Sequence, residues 1–121
     1  MKLLILDDDN SRHSQFLTHY VGHSIKSVYT ASGAIKALKK EKYDYVFLDH
    51  DLGGQQMVKS GDGTGYEVAE FIALNLEYAP VREVVLHSLN PIGRKNMKDV
   101  LTRYGVSVID APGCWRYGKI D

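Results

Sequence analysis

The stretch Tyr45-Val46-Phe47-Leu48-Asp49-His50-Asp51 runs from four apolar residues straight into two carboxylates flanking an imidazole. A short run of aromatic and branched side chains that stops at ionisable groups reads as a buried strand whose carboxyl end meets solvent. The same pattern recurs on either side. Leu3 to Leu6 stops at Asp7-Asp8-Asp9, and Val84 to Leu86 stops at His87-Ser88-Leu89-Asn90. In a parallel sheet the carboxyl ends of strands share one edge, where such folds bind ligands. Five carboxylates, two imidazoles and a hydroxyl then meet in one small volume.

Outward from these three segments the chain alternates strand and helix. After strand one (Leu3 to Leu6), Asn10 or Ser11 caps a helix to about Tyr20, with Phe16, Leu17 and Tyr20 facing inward. Ile25 to Thr30 is strand two, and Ser32 caps a helix from Gly33 to Lys40 with Ala34, Ile35 and Leu38 as its apolar stripe. Tyr43 to Leu48 is strand three. Leu52 to Thr64 is a loop of a length that is usually functional or disordered. Thr64 and Glu67 have capping-box spacing and open a helix to about Tyr78, which Pro80 ends. Glu83 to His87 is strand four, Asn90-Pro91 starts a helix to Tyr104, Gly105 closes it, and Val106 to Ile109 is strand five. Strand-helix repetition implies right-handed crossovers and a parallel sheet. The expected fold is a doubly wound α/β sheet of five parallel strands in the order 2-1-3-4-5, with the last helix missing or reduced. Ala111 to Asp121 then leave part of one sheet face to Trp115 and Tyr117 or to a second subunit, which makes a homodimer an expectation.

At 121 residues the expectation is a single domain, residues 1–121, with one hydrophobic core. Fifteen basic and fifteen acidic residues give no electrostatic reason for a duplex-DNA or membrane partner. No segment approaches the roughly 20 apolar residues that span a bilayer, and Asp7 to Asp9 interrupt the first apolar run too early for a signal peptide. Cys114 is the only cysteine, so no intramolecular disulfide forms and a cytoplasmic location is expected. His13, His19 and His23 read as surface histidines.

Crowded carboxylates repel one another unless a cation neutralises them. Asp7, Asp8 and Asp49 are therefore the expected ligands of Mg2+ or Mn2+, hard ions that also bridge to phosphate. Asp49 and Asp51 suit metal ligation or nucleophilic attack and acid-base work, with Asp51 alternatively binding a loop amide. His50 and His87 are candidate proton donors or ligands. Asn90 with Arg94, and Thr64 at the next helix start, are candidate phosphate holders through free amides and a guanidinium fork, against the plainer reading of ordinary capped helices. Ser88 reaches the same site if strand alternation breaks down at the strand's end.

These residues resemble a response-regulator receiver domain. Asp7-Asp8 resembles the acidic pair, Asp49 the phosphorylatable aspartate, and Ser88 the hydroxyl after strand four. The place of the receiver lysine, before the proline after strand five, is Ala111 before Pro112. A divergent group, the cyclic-phosphate processing receiver domain, is closer. Leu48-Asp49-His50-Asp51-Leu52-Gly53, Gly63-Thr64-Gly65-Tyr66 and His87-Ser88-Leu89-Asn90-Pro91-Ile92-Gly93-Arg94 resemble its signature blocks. Many members carry an arginine two places after the acidic pair; that place is Asn10, and the resemblance assigns its role to Arg12. The resemblance implies a metal-dependent phosphoesterase acting on a small cyclic nucleotide or cyclic phosphate. The alternatives are a signalling protein phosphorylated on Asp49 and a module that binds a phosphorylated ligand without chemistry.

Overall fold

The computed structural model describes residues 1–113, so the expectations for Trp115 and Tyr117 lie outside the described residues. The strands are β1 (Lys2–Leu6), β2 (Ser24–Val28), β3 (Tyr45–Leu48), β4 (Glu83–Leu86) and β5 (Val108–Asp110). The helices are α1 (Asn10–His19), α2 (Ala31–Lys40), α3 (Gly65–Leu74) and α4 (Pro91–Arg103). Every strand pair is parallel and the order is β2-β1-β3-β4-β5, as expected from the sequence. Among the described residues no helix follows β5, and none is long and apolar enough to cross a membrane.

Side-chain alternation divides the core between the two sheet faces. Leu4, Leu6, Val46, Leu48, Val84 and Leu86 pack with α2, α3 and α4, while Leu3, Ile5, Phe47 and Val85 pack with Phe16 of α1 and with Tyr20, its C-cap. Register then positions the site. Leu6 pairs with Leu48 and Leu48 with Leu86, so Asp7, Asp49 and His87 stand in one lateral row just past the paired ends. The ladder continues into this row, because Asp49 N–H donates to Leu6 O at 3.1 Å and His87 N–H to Leu48 O at 3.2 Å.

The helix starts differ from the sequence reading by one or two residues. Asp9, not Asn10 or Ser11, caps α1, its carboxylate accepting from Ser11 N at 2.7 Å. Thr30, not Ser32, caps α2 by accepting from Gly33 N. In each case the earliest of the competing caps has the extended backbone that a cap requires. Leu17 is 50 % exposed, and His13 takes the inward place beside Phe16. His13 is therefore a buried histidine rather than a surface one. Thr64 caps α3, but Glu67 reaches back to Gly63 N rather than to Thr64 N, one residue beyond the expected box. Helix α3 stops at Leu74, short of Tyr78.

Candidate functional site

Asp7 stands at the β1 end of the row and is fully buried. Its Oδ2 accepts from Arg12 Nε at 2.7 Å and faces His87 Nε2 at 2.9 Å. Its Oδ1 accepts from Arg12 Nη2 at 2.8 Å and from Asp9 N at 2.9 Å. Burial alone would favour the neutral acid, but hydrogen bonds from His87 and Arg12 outweigh it and hold Asp7 well below the ordinary carboxylate range. Arg12 is fixed in turn. Helix α1 begins two residues before it, and its guanidinium also lies 3.6 Å from both Asp8 and Asp49 and 3.4 Å from Asp9.

Asp49 is placed differently. Its Oδ1 accepts from its neighbour's amide, His50 N, at 2.9 Å, and its nearest cation is Arg12 at 3.6 Å. Burial pushes its carboxyl up to about 6. The nearby Asp7 charge adds to that rise, and His87 and Arg12 counter it. Two neighbouring carboxyls thus ionise at opposite ends of the range, a pattern that marks functional sites.

The row opens into a cleft of 770 Å³ lined by Asp8, Asp9, Arg12, Asp49, Asp51, His87 and Ser88, with Gly54 to Met57 forming one wall. Carboxylates hold that wall in place. Gly54 N donates to Asp8 Oδ2 and Met57 N to Asp51 Oδ2, both at 2.7 Å. Ser88 lies in the lining, where its Oγ also accepts from Asn90 N at 3.1 Å.

Four expected site residues are turned elsewhere. Strand alternation sends His50 to the face opposite Asp49, where it is fully buried against α4; a Cβ at Gly93 would fall 2.4 Å from His50 Cγ. His50 Nδ1 and Asp51 Oδ1 are 2.8 Å apart, and His50 Nε2 and Ser60 Oγ are 2.9 Å apart. Asn90 caps α4 through Gly93 N, and its amide donates to Asp51 and to Val58 O. Arg94 spends its guanidinium on Asp110 at 2.9 Å and Ser88 O at 2.8 Å. Thr64 is occupied as the α3 cap. His50, Thr64, Asn90 and Arg94 do not line the cleft, and they fix the loop between β3 and α3 and the helices beside it. Ser60, which sequence reasoning did not single out, joins this network through His50 and Asn96. Asp51 both lines the cleft and binds the Met57 amide.

The model of the cyclic-phosphate processing receiver domain matches residues 2–103. The chain belongs to that family. This receiver-like domain resembles solved response regulators in fold. One is a response regulator protein from Burkholderia pseudomallei with a phosphorylated aspartic acid, calcium ion and citrate. It is 13% identical with a TM-score of 0.66, over 91% of this chain and 58% of that one. Another is the chemotaxis protein CheY4 from Vibrio cholerae, 17% identical, TM-score 0.63, over 91% and 84%. A third is the response regulator TrrA from Thermotoga maritima in complex with Mg2+-BeF, 22% identical, TM-score 0.61, over 89% and 84%. No curated protein matches the chain.

Asp7, Asp49 and His87 each offer a ligand atom within 4.8 Å of the others, so a single ion at about 2.1 Å from each requires only a small contraction. The expected ligand Asp8 borders the same space, 3.6 Å from the Arg12 guanidinium. Two carboxylates and an imidazole fit a divalent ion, with Mn2+ accepting the nitrogen more readily than Mg2+.

Proposed function

We propose that this receiver-like domain hydrolyses a phosphoester of a small ligand, a cyclic nucleotide or cyclic phosphate, in the 770 Å³ cleft. The observation that carries this reading is Asp49. It lines a cleft roomy enough for a nucleotide, and its carboxyl at about 6 suits a general base near neutral pH. In the proposed reaction Asp49 accepts a proton from water as the water oxygen bonds to phosphorus. The ester P–O bond breaks, and His87 supplies the proton to the departing oxygen. Water is thereby added across one bond; the proton on Asp49 leaves to solvent and His87 regains one from it, which restores both groups. Arg12, in the cleft lining, is the cation placed to meet the charge that builds on the phosphoryl oxygens. An ion held by Asp7, Asp8 and Asp49 would supply Lewis-acid polarisation of the phosphate and leave His87 free to carry its proton. His50 acts as a positioning residue that keeps Asp51 and the loop in place.

The test is incubation with MnCl2 and a panel of cyclic nucleotides and 2′,3′-cyclic phosphates. Wild type is expected to open at least one, with Asp49→Asn slower by about 100-fold or more. No turnover of any compound, or equal turnover by the variant, overturns the reading.

A second reading has its own support. Asp49 takes the phosphorylatable aspartate's place, and one fold relative carries a phosphorylated aspartic acid. In that reading Asp49 attacks an acyl or amino phosphate donor and retains the phosphoryl group. Intact-mass measurement after acetyl phosphate treatment decides it: a phosphoryl adduct absent from Asp49→Asn supports it, and unmodified wild type rejects it.

A further inference from the structure

Among the described residues the acidic cluster already contains a cation, and that cation belongs to the chain. Arg12 grips Asp7 with two hydrogen bonds of 2.7 and 2.8 Å and lies within 3.6 Å of Asp8, Asp9 and Asp49. A carboxylate has about four lone-pair directions. All four of Asp7 are taken, by Arg12 Nη2 and Asp9 N on Oδ1 and by Arg12 Nε and His87 Nε2 on Oδ2. No direction is left for a metal while the guanidinium stays. A divalent ion and a guanidinium in the same few ångströms also repel.

We infer that Arg12 is the site's internal counter-ion, which a divalent cation must expel from Asp7, and that the expelled guanidinium becomes the cleft's phosphate-binding fork. The inference rests on the cation reading given under the proposed function and adds the order of events. Arg12 is suited to both positions. It lines the cleft, its side chain is 38 % exposed, and it stands in the first turn of α1 with a long aliphatic stem to swing on. A guanidinium freed from carboxylates offers paired N–H groups that match two phosphate oxygens. Cation and phosphate uptake are thereby coupled, each favouring the other, as linkage requires of any shared intermediate state.

Calorimetric titration of the full chain with MnCl2 alone tests the first half. Arg12→Gln is expected to bind Mn2+ at least tenfold more tightly than wild type. Titration with inorganic phosphate tests the second half. Wild type is expected to bind phosphate only when Mn2+ is present, and Arg12→Gln to lose that binding while retaining the metal. Equal or weaker Mn2+ binding by a folded Arg12→Gln overturns the inference alone. Absence of Mn2+ uptake by both proteins overturns it together with the cation reading. If Arg12→Gln does not fold, the Arg12 Nε–H resonance of wild type serves instead. It is expected to shift out of its carboxylate-bonded position on saturation with Mg2+, and an unmoved resonance at saturation rejects the expulsion.

Discussion

At the scale of single residues, Asp7 and Asp49 show how far hydrogen-bond partners can separate two like groups. Asp7 has a bidentate arginine and a histidine; Asp49 has one backbone amide and a cation at 3.6 Å. Folding therefore lowers the pKa of one and raises that of the other. For Asp49 the folded value of about 6 lies above the ordinary 3.8. The unfolded carboxyl gives up its proton at lower pH, so stability falls as pH rises from about 4 to 6, and the loss is complete above 6. A shift of this size corresponds to about 3 kcal/mol. Asn resembles the protonated form, so Asp49→Asn is expected to raise the melting temperature at pH 8 in EDTA and to leave it nearly unchanged at pH 4. A gain of equal size at both pH values contradicts the account. Asp7 behaves oppositely, contributing stability at neutral pH that is lost as acid titrates it.

At the scale of elements, the site depends on how closely α3 approaches the end of β3. Gly65, the first residue of α3, donates its N–H to His50 O at 2.9 Å, and a Cβ there would meet Asp49 O at 1.8 Å. Backbone is the obstacle, so no side chain can rotate away. Gly65→Ala is expected to cost about 3 kcal/mol or more in urea unfolding and to disturb Asp49, whereas Gly61→Ala, with open space around it, is expected to cost less than about 0.5 kcal/mol. The Asp51-His50-Ser60 relay has the connectivity of a hydrolase triad, yet neither Ser60 nor His50 lines the cleft. Its bonds tie the loop down at both ends. Elements of this kind were readable to differing degrees. β1, β3 and β4 stood out because apolar runs ended at ionisable residues. The caps of α1 and α2 did not, because Asp9 competes with Asn10 and Ser11, and Thr30 with Ser32, for the same role. Backbone geometry set by the sheet makes that choice, and local composition does not encode it.

At the scale of the whole molecule, the parallel order brings together residues that the sequence keeps far apart. His87 reaches Asp7 across β3 although the two are 80 positions apart in the sequence. The topology and the three strand-end motifs were enough to predict that Asp7, Asp49 and His87 would meet. The part taken by Arg12 was less visible, because its contacts require α1 to start at Asn10 and its side chain to turn back over the row. His50 was placed on the wrong side for a simple reason: beside Asp49, a period of two must send one of the pair away. The Asp7–His87 link makes a prediction about the domain as a unit. In a double-mutant cycle, Asp7→Asn and His87→Gln are expected to show about 1–3 kcal/mol of coupling in urea unfolding. Additive effects would mean that the contact carries no stability. The bond from Gly54 N to Asp8 has a practical corollary for mutagenesis. Floor and rim are fastened by one shared carboxylate, so an Asp8 substitution edits both at once. Such a variant's phenotype is interpretable only beside one that unhooks the rim and spares the floor.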